Sequence, residues 1–168
     1  MSYNIENLSS DCHNAIAAEN NPKGREKVRQ HLEKALADPN FVETHLGPEN
    51  DKDRNIIYED PDFGFCIVAH VYEGAKASGP HDHGPTWAIY GQAIGATEMT
   101  EWKVTKKPMN DEPGICEPVK VYKMTPGVAV LCNEGVVHSP RREASTRLIR
   151  IEGQNIAKLT KRDSFRAA

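Results

Sequence analysis

Two histidines one residue apart, His81 and His83, stand in the run Gly79-Pro80-His81-Asp82-His83-Gly84-Pro85-Thr86-Trp87. Side chains alternate along an extended strand, so residues i and i+2 share a face and two imidazoles can converge on one metal ion. The surrounding glycines and prolines suggest a strand edge or mouth, where a ligand gains access. Counting along a regular strand, Trp87 has the parity of His81 and His83 and Tyr90 does not, which favours Trp87 for lining the same pocket. The other histidines read as structural. His70 lies in an apolar run, His13 and His31 lie in a helical region, and His45 lies in a polar approach segment. Glu98 and Glu101, further along, read as solvated or partner-facing.

The elements that must carry these residues fall into two parts. Ile5, Leu8, Cys12 and Ile16 recur at helical spacing. After the cap-like Asn21-Pro22, so do Val28, Leu32, Ala35 and Leu36, and Pro39 is expected to end that helix. Residues 40–55 read as a polar approach ending in Asp53-Arg54-Asn55. The pattern then changes to short runs rich in β-branched and aromatic residues: 56–58, 63–72, 87–104, 119–124, 128–132 and 147–151. No helical stretch separates them, which argues against βαβ units and for an all-β closed barrel or jelly roll preceded by N-terminal helices. The proline-containing stretch 106–118 is expected to be a long surface loop between two halves of the barrel. The expected organisation is one domain over 1–168, helical to about residue 40, with the barrel over about 54–155.

Bulk composition narrows the function. The 168 residues carry 21 Lys plus Arg against 24 Asp plus Glu, a formal charge of −3 with no basic block. That gives no electrostatic case for nucleic acid or an anionic membrane. No apolar run approaches the length of a membrane span, and the N-terminus does not read as a signal peptide. Cys12, Cys66, Cys116 and Cys132 form no C-x-x-C pair. They read as free, buried thiols of a reducing compartment, with a cytoplasmic location expected. A monomer and a homodimer fit equally.

Two motifs in order resemble the cupin superfamily. Its first motif runs H-x-H, three or four residues, a glutamate position, six residues and Gly, which His81, His83 and Gly95 match. Its second runs Gly, five residues, Pro-x-Gly, two residues and His. Here it reads Gly127, residues 128–132, Asn133-Glu134-Gly135, Val136-Val137 and His138, with Asn133 in place of proline. The resemblance covers roughly residues 54–155 and implies a double-stranded β-helix in which His81, His83 and His138 bind one metal. The glutamate position falls on Trp87 or Ala88, neither of which can ligate. The implied site is three neutral imidazoles, which leave a divalent ion its full charge. Such a site attracts thiolate, enolate or carboxylate and keeps positions open for substrate and dioxygen.

Within cupins the pattern is similar to the cysteine dioxygenase and thiol dioxygenase branch, whose three-histidine iron(II) sites oxidise a thiol to a sulfinate. By that resemblance Fe(II) is the expected cofactor, with Zn, Ni, Mn or Cu able to occupy the isolated protein. The partners are then O2 and a small anionic substrate. Arg54, in Asp53-Arg54-Asn55, matches the arginine that supplies a guanidinium for the substrate carboxylate. Two features depart from the branch. The late strand reads Arg147-Leu148-Ile149-Arg150-Ile151 in place of Ser-x-His-x-Tyr, and Ala88 falls where the crosslinking cysteine would be. Tyr90 and Arg150 remain as further catalytic candidates. A three-histidine β-diketone dioxygenase and a non-catalytic metal- or ligand-binding cupin are the alternative functions.

Overall fold

In the computed structural model, which describes residues 2–168, three capped helices precede ten strands. Helix α1, Ile5–Ala18, starts at Asn4, whose side chain accepts from the Asn7 N–H while Asn7 accepts from Asn4 in return. Helix α2, Pro22–Leu36, starts at Asn21, which accepts from the N–H groups of Lys23 and Gly24. Helix α3, Pro39–Leu46, repeats that arrangement with Asp38 as cap. Pro39 therefore opens a helix where the sequence reading expected it to close one. A proline at the first helical position lacks only an N–H that has no helical acceptor, so the same residue that stops α2 can start α3. The approach segment shrinks accordingly to residues 47–54.

The strands are β1 Asn55–Glu59, β2 Cys66–Tyr72, β3 Lys76–Ala77, β4 Ala88–Ile94, β5 Thr97–Lys106, β6 Gly114–Met124, β7 Ala129–Cys132, β8 Val137–Arg142, β9 Thr146–Glu152 and β10 Phe165–Ala167. They form two five-stranded sheets, ordered β1-β2-β9-β4-β7 and β10-β6-β5-β8-β3. From β2 to β9 the two orders are 2-9-4-7 and 6-5-8-3, the winding of a jelly roll. The three helices lie against the outer face of the first sheet, so the chain is mostly β with a helical layer and not all-β.

That layer explains the apolar runs. Strand β2 is buried at six consecutive positions, Cys66 to Val71, because both faces of its sheet are covered. Ile67, Ala69, Ile89, Ile149 and Ile151 pack outward against Leu8, Val28 and Leu32 of the helices. Tyr90, Cys132 and Leu148 of the same sheet point inward and meet Met99 and Met124 of the second sheet. Gly91 sets how close α2 can come, since a Cβ there would lie 2.7 Å from Leu32 Cδ2 and 2.8 Å from Leu36 Cδ1.

Three boundaries differ from the sequence reading. The run 87–104 divides at Gly95, which takes a left-handed conformation (φ 78°) between β4 and β5. The stretch 106–118 is a hairpin and not a long loop. Met109 and Glu112 exchange both backbone hydrogen bonds around Asn110 and Asp111, which have φ of 51° and 65°. Positive φ at both central residues makes this the two-residue turn that matches strand twist. Beyond it Pro118 pairs with Trp102 across a bulge. Finally, β10 lies outside the expected barrel limits and runs parallel to the start of β6. No helix among the described residues is long and apolar enough to cross a membrane.

Leu32 is fully buried between α2 and the sheet. Leu32→Ala should lower stability by about 2–5 kcal/mol in denaturant unfolding, with metal content unchanged, because the contact lies on the face away from the barrel interior.

Candidate metal centre

His138 is the second residue of β8, and its N–H bonds to the His81 carbonyl at 2.9 Å while the His81 N–H bonds back at 3.0 Å. Residues paired in this way share a face of the sheet. His81 is an isolated bridge outside the named strands, and His83 lies in the segment before a turn. Gly84 takes φ 61° there, and its N–H is accepted by Asp82 Oδ1 at 3.0 Å. His81 and His83 do converge, through this turn and the pairing to β8, and not as neighbours on one regular strand. One ligand atom from each of His81, His83 and His138 lies within 4.8 Å of the other two.

Two of the three tautomers are fixed by carbonyls, which can only accept. His81 Nδ1 donates to Gly79 O at 2.8 Å and His138 Nδ1 donates to Val136 O at 3.0 Å, so both Nε2 atoms carry lone pairs. His83 Nε2 faces His138 Nε2 at 3.0 Å, and His83 Nδ1 is buried without a partner. Burial pushes His83 down to about 2, aided by His138 and Arg150, and burial pushes His138 down to about 3. Burial lowers His81 as well. All three rings are thus neutral, the form that ligates metal. Buried lone pairs converging from uncharged imidazoles fit a divalent transition-metal ion.

The interior around the triad holds residues that strand parity assigned elsewhere. The turn at Gly84-Pro85-Thr86, with the Thr86 N–H on His83 O at 3.4 Å, breaks the alternation counted from His81. Trp87 therefore packs on the helical side, with the Arg25 guanidinium 5.6 Å from its ring, and does not line the site. Tyr90 points inward instead, with Oη 2.9 Å from His83 Nε2 and 3.0 Å from His138 Nε2. Glu101 lies directly opposite His138 in the β5–β8 register, so it shares that strand face and is half-buried there, where the sequence reading expected a solvated or partner-facing residue. It is not part of the cluster of ligand atoms.

Arg54 is not free to face a substrate. Its Nη1 and Nη2 donate to the two oxygens of Glu152 at 2.6 and 2.8 Å, and Nη2 also reaches Asn155 Oδ1 at 2.9 Å. Glu152 has no exposed surface and also accepts from Arg150 Nε at 2.9 Å. Its burial opposes ionisation, but Arg54 and Arg150 hold its carboxyl below the usual range. Arg150 is the guanidinium nearer the triad, paired directly across from Tyr90 with its carbon 5.7 Å from that ring. Arg142, on β8 with the parity of His138, is buried. It donates to Thr97 Oγ1 at 3.1 Å and has no carboxylate partner among the described residues.

No protein-family model matches the chain, and no curated protein matches it in sequence. In shape it is similar to several solved structures. A protein from Neisseria meningitidis is 20% identical with a TM-score of 0.46, covering 66% of this chain and 94% of that one. A cupin-2 domain protein from Shewanella frigidimarina is 14% identical with a TM-score of 0.43, covering 61% and 81%. A hydroquinone 1,2-dioxygenase, crystallised with Cd2+ and 4-hydroxybenzonitrile, is 9% identical with a TM-score of 0.47, covering 63% and 66%.

His70 is a core histidine, as the sequence suggested, with Nδ1 2.7 Å from Asp53 O and Nε2 buried without a partner. Burial, then the Arg150 charge, pushes it down to about 3. An unfolded histidine titrates near 6.5, so between these values the unfolded chain binds a proton that the folded chain refuses, and stability falls as pH drops. His70→Gln should flatten the fall in urea stability between about pH 6 and 4 by about 1.4 kcal/mol per pH unit. An unchanged slope would contradict the buried neutral assignment.

Proposed function

We propose that this chain is a non-haem iron(II) dioxygenase that oxidises a small anionic thiol to its sulfinate. The observation that carries this reading is a set of three neutral, convergent imidazoles with no carboxylate among the ligand atoms. The donors would be His81, His83 and His138, and Fe(II), when bound there, supplies the redox chemistry with dioxygen.

The protein's own part is electrostatic and steric. Uncharged donors leave the ion's double positive charge uncancelled. The interior adds Arg142 without a carboxylate, and Arg150 and Arg54 sharing the single Glu152. With Glu101 as the other inward carboxylate, three guanidiniums face two carboxylates, so the balance stays positive in a barrel otherwise lined by Ala88, Met99, Met124 and Leu148 and favours an anion. Arg150 gives Nε and Nη2 to Glu152, which leaves its remaining terminal nitrogen outside that ion pair and able to orient a carboxylate. With Arg54 held by Glu152, carboxylate recognition passes to Arg150 and Arg142.

The test is oxygen consumption by protein loaded anaerobically with Fe(II), against a panel of carboxylate-bearing thiols, an aminothiol without a carboxylate, and β-diketones. The expected result is uptake with the carboxylate-bearing thiols, sulfinate as product, and little turnover of the aminothiol. Arg142→Met should raise KM roughly tenfold or more, the scale of one hydrogen bond to a charged group. Carbon–carbon cleavage of a diketone would replace the thiol by an enolate substrate, and no uptake with any compound would defeat the dioxygenase reading.

A further inference from the structure

We propose that Tyr90 is a fourth protein ligand, so that the centre is three imidazoles and one phenolate. The inference rests on reading His81, His83 and His138 as a metal site and adds a ligand that the histidine motifs do not contain.

The geometry is the argument. Tyr90 Oη, His83 Nε2 and His138 Nε2 form a nearly equilateral triangle with sides of 2.9, 3.0 and 3.0 Å. With the His83 proton on Nδ1, as in the two carbonyl-bound rings, the single phenolic proton can serve only one of two Nε2 lone pairs and the other is left facing the oxygen; with it on Nε2, the three atoms close as hydrogen bonds. One cation shared by the three atoms removes the conflict of the first arrangement. Adjacent ligands of a six-coordinate ion with bonds of about 2.1 Å stand about 3.0 Å apart, whereas tetrahedral ligands stand about 3.4 Å apart. The triangle therefore matches neighbouring positions of an octahedral ion, and His81 supplies the remaining protein donor.

The fold commits Tyr90 to this place. Ala88 and Tyr90 pack inside the barrel, while Ile89 packs under the helices and Gly91 lies against Leu32 of that layer. Tyr90 is flanked in register by Val130 of β7 and by Arg150 of β9; burial pushes the metal-free hydroxyl up to about 12 against the lowering effect of the Arg150 guanidinium, so it is the cation that would displace the proton. As the oxygen–metal bond forms, the phenolic proton leaves to solvent buffer, and no redox change is involved. The phenolate cancels one charge of the ion, and the positive interior described above still favours an anionic substrate.

The experiment measures iron content and the visible spectrum together. Protein is loaded with Fe(II), freed of excess metal, oxidised to Fe(III) with ferricyanide and desalted. The expected result is one iron per chain with an intense visible phenolate-to-Fe(III) charge-transfer band. Tyr90→Phe should keep the iron and lose the band, and Tyr122→Phe, at the β6 tyrosine that packs against the same inner cluster, should keep both. One iron per chain without a band would overturn the tyrosine ligand and leave the histidine site standing. A band that survives in Tyr90→Phe would overturn the assignment to this tyrosine. Failure to bind iron at all would overturn both the tyrosine ligand and the metal site beneath it.

Discussion

Two imidazole nitrogens, His83 Nε2 and His138 Nε2, are held 3.0 Å apart inside an apolar barrel with little to separate them. His138 cannot rotate away, because its Nδ1–H is committed to the Val136 carbonyl and its backbone is paired to His81. His81 is committed in the same manner to Gly79. Without a cation His83 Nε2–H can donate to His138 Nε2; with the His83 proton on Nδ1 all three rings present converging buried lone pairs, the arrangement that favours a cation. The other features of the interior follow from accommodating that arrangement.

The barrel achieves it by joining two parts of the chain that are 55 residues apart. The turn at Gly84 brings His83 round, and β8 presents His138 opposite the His81 bridge. The helical layer steadies the second part. Arg25 of α2 is buried, donates to Asn133 Oδ1 at 3.2 Å and pairs with Glu134, so it grips the turn that leads into β8. The Asn133 side chain supplies this tether to α2. The N-terminal helices therefore act on the site at one remove, through the sheet they cover and through this turn.

Much of the site was legible because its signals are local. H-x-H, the glycines of both motifs, and asparagine before proline at the start of α2 are each read within a few residues. What was missed depends on register or on distant partners. Parity carried through the turn at Gly84 favours Trp87 over Tyr90 for the pocket, and the turn resets that parity, so Tyr90 is the one that points inward. Glu101 became an inward residue only once β5 was paired with β8. Arg54 looks like a free guanidinium until Glu152, 98 residues away, is placed against it. The Asn110-Asp111 turn and the Asp38-Pro39 cap did carry local signals, since both pairs have the chemistry that their conformations require.

The central claim is that the fixed, neutral imidazoles exist to hold a metal. Calorimetric titration of chelator-stripped protein with a divalent transition-metal ion tests it most directly, with His138→Ala alongside. The account predicts one tight site per chain in the native protein and its loss in the variant, with the variant still folded. Absence of a tight site in the native protein, or a tight site that survives unchanged in His138→Ala, would contradict it.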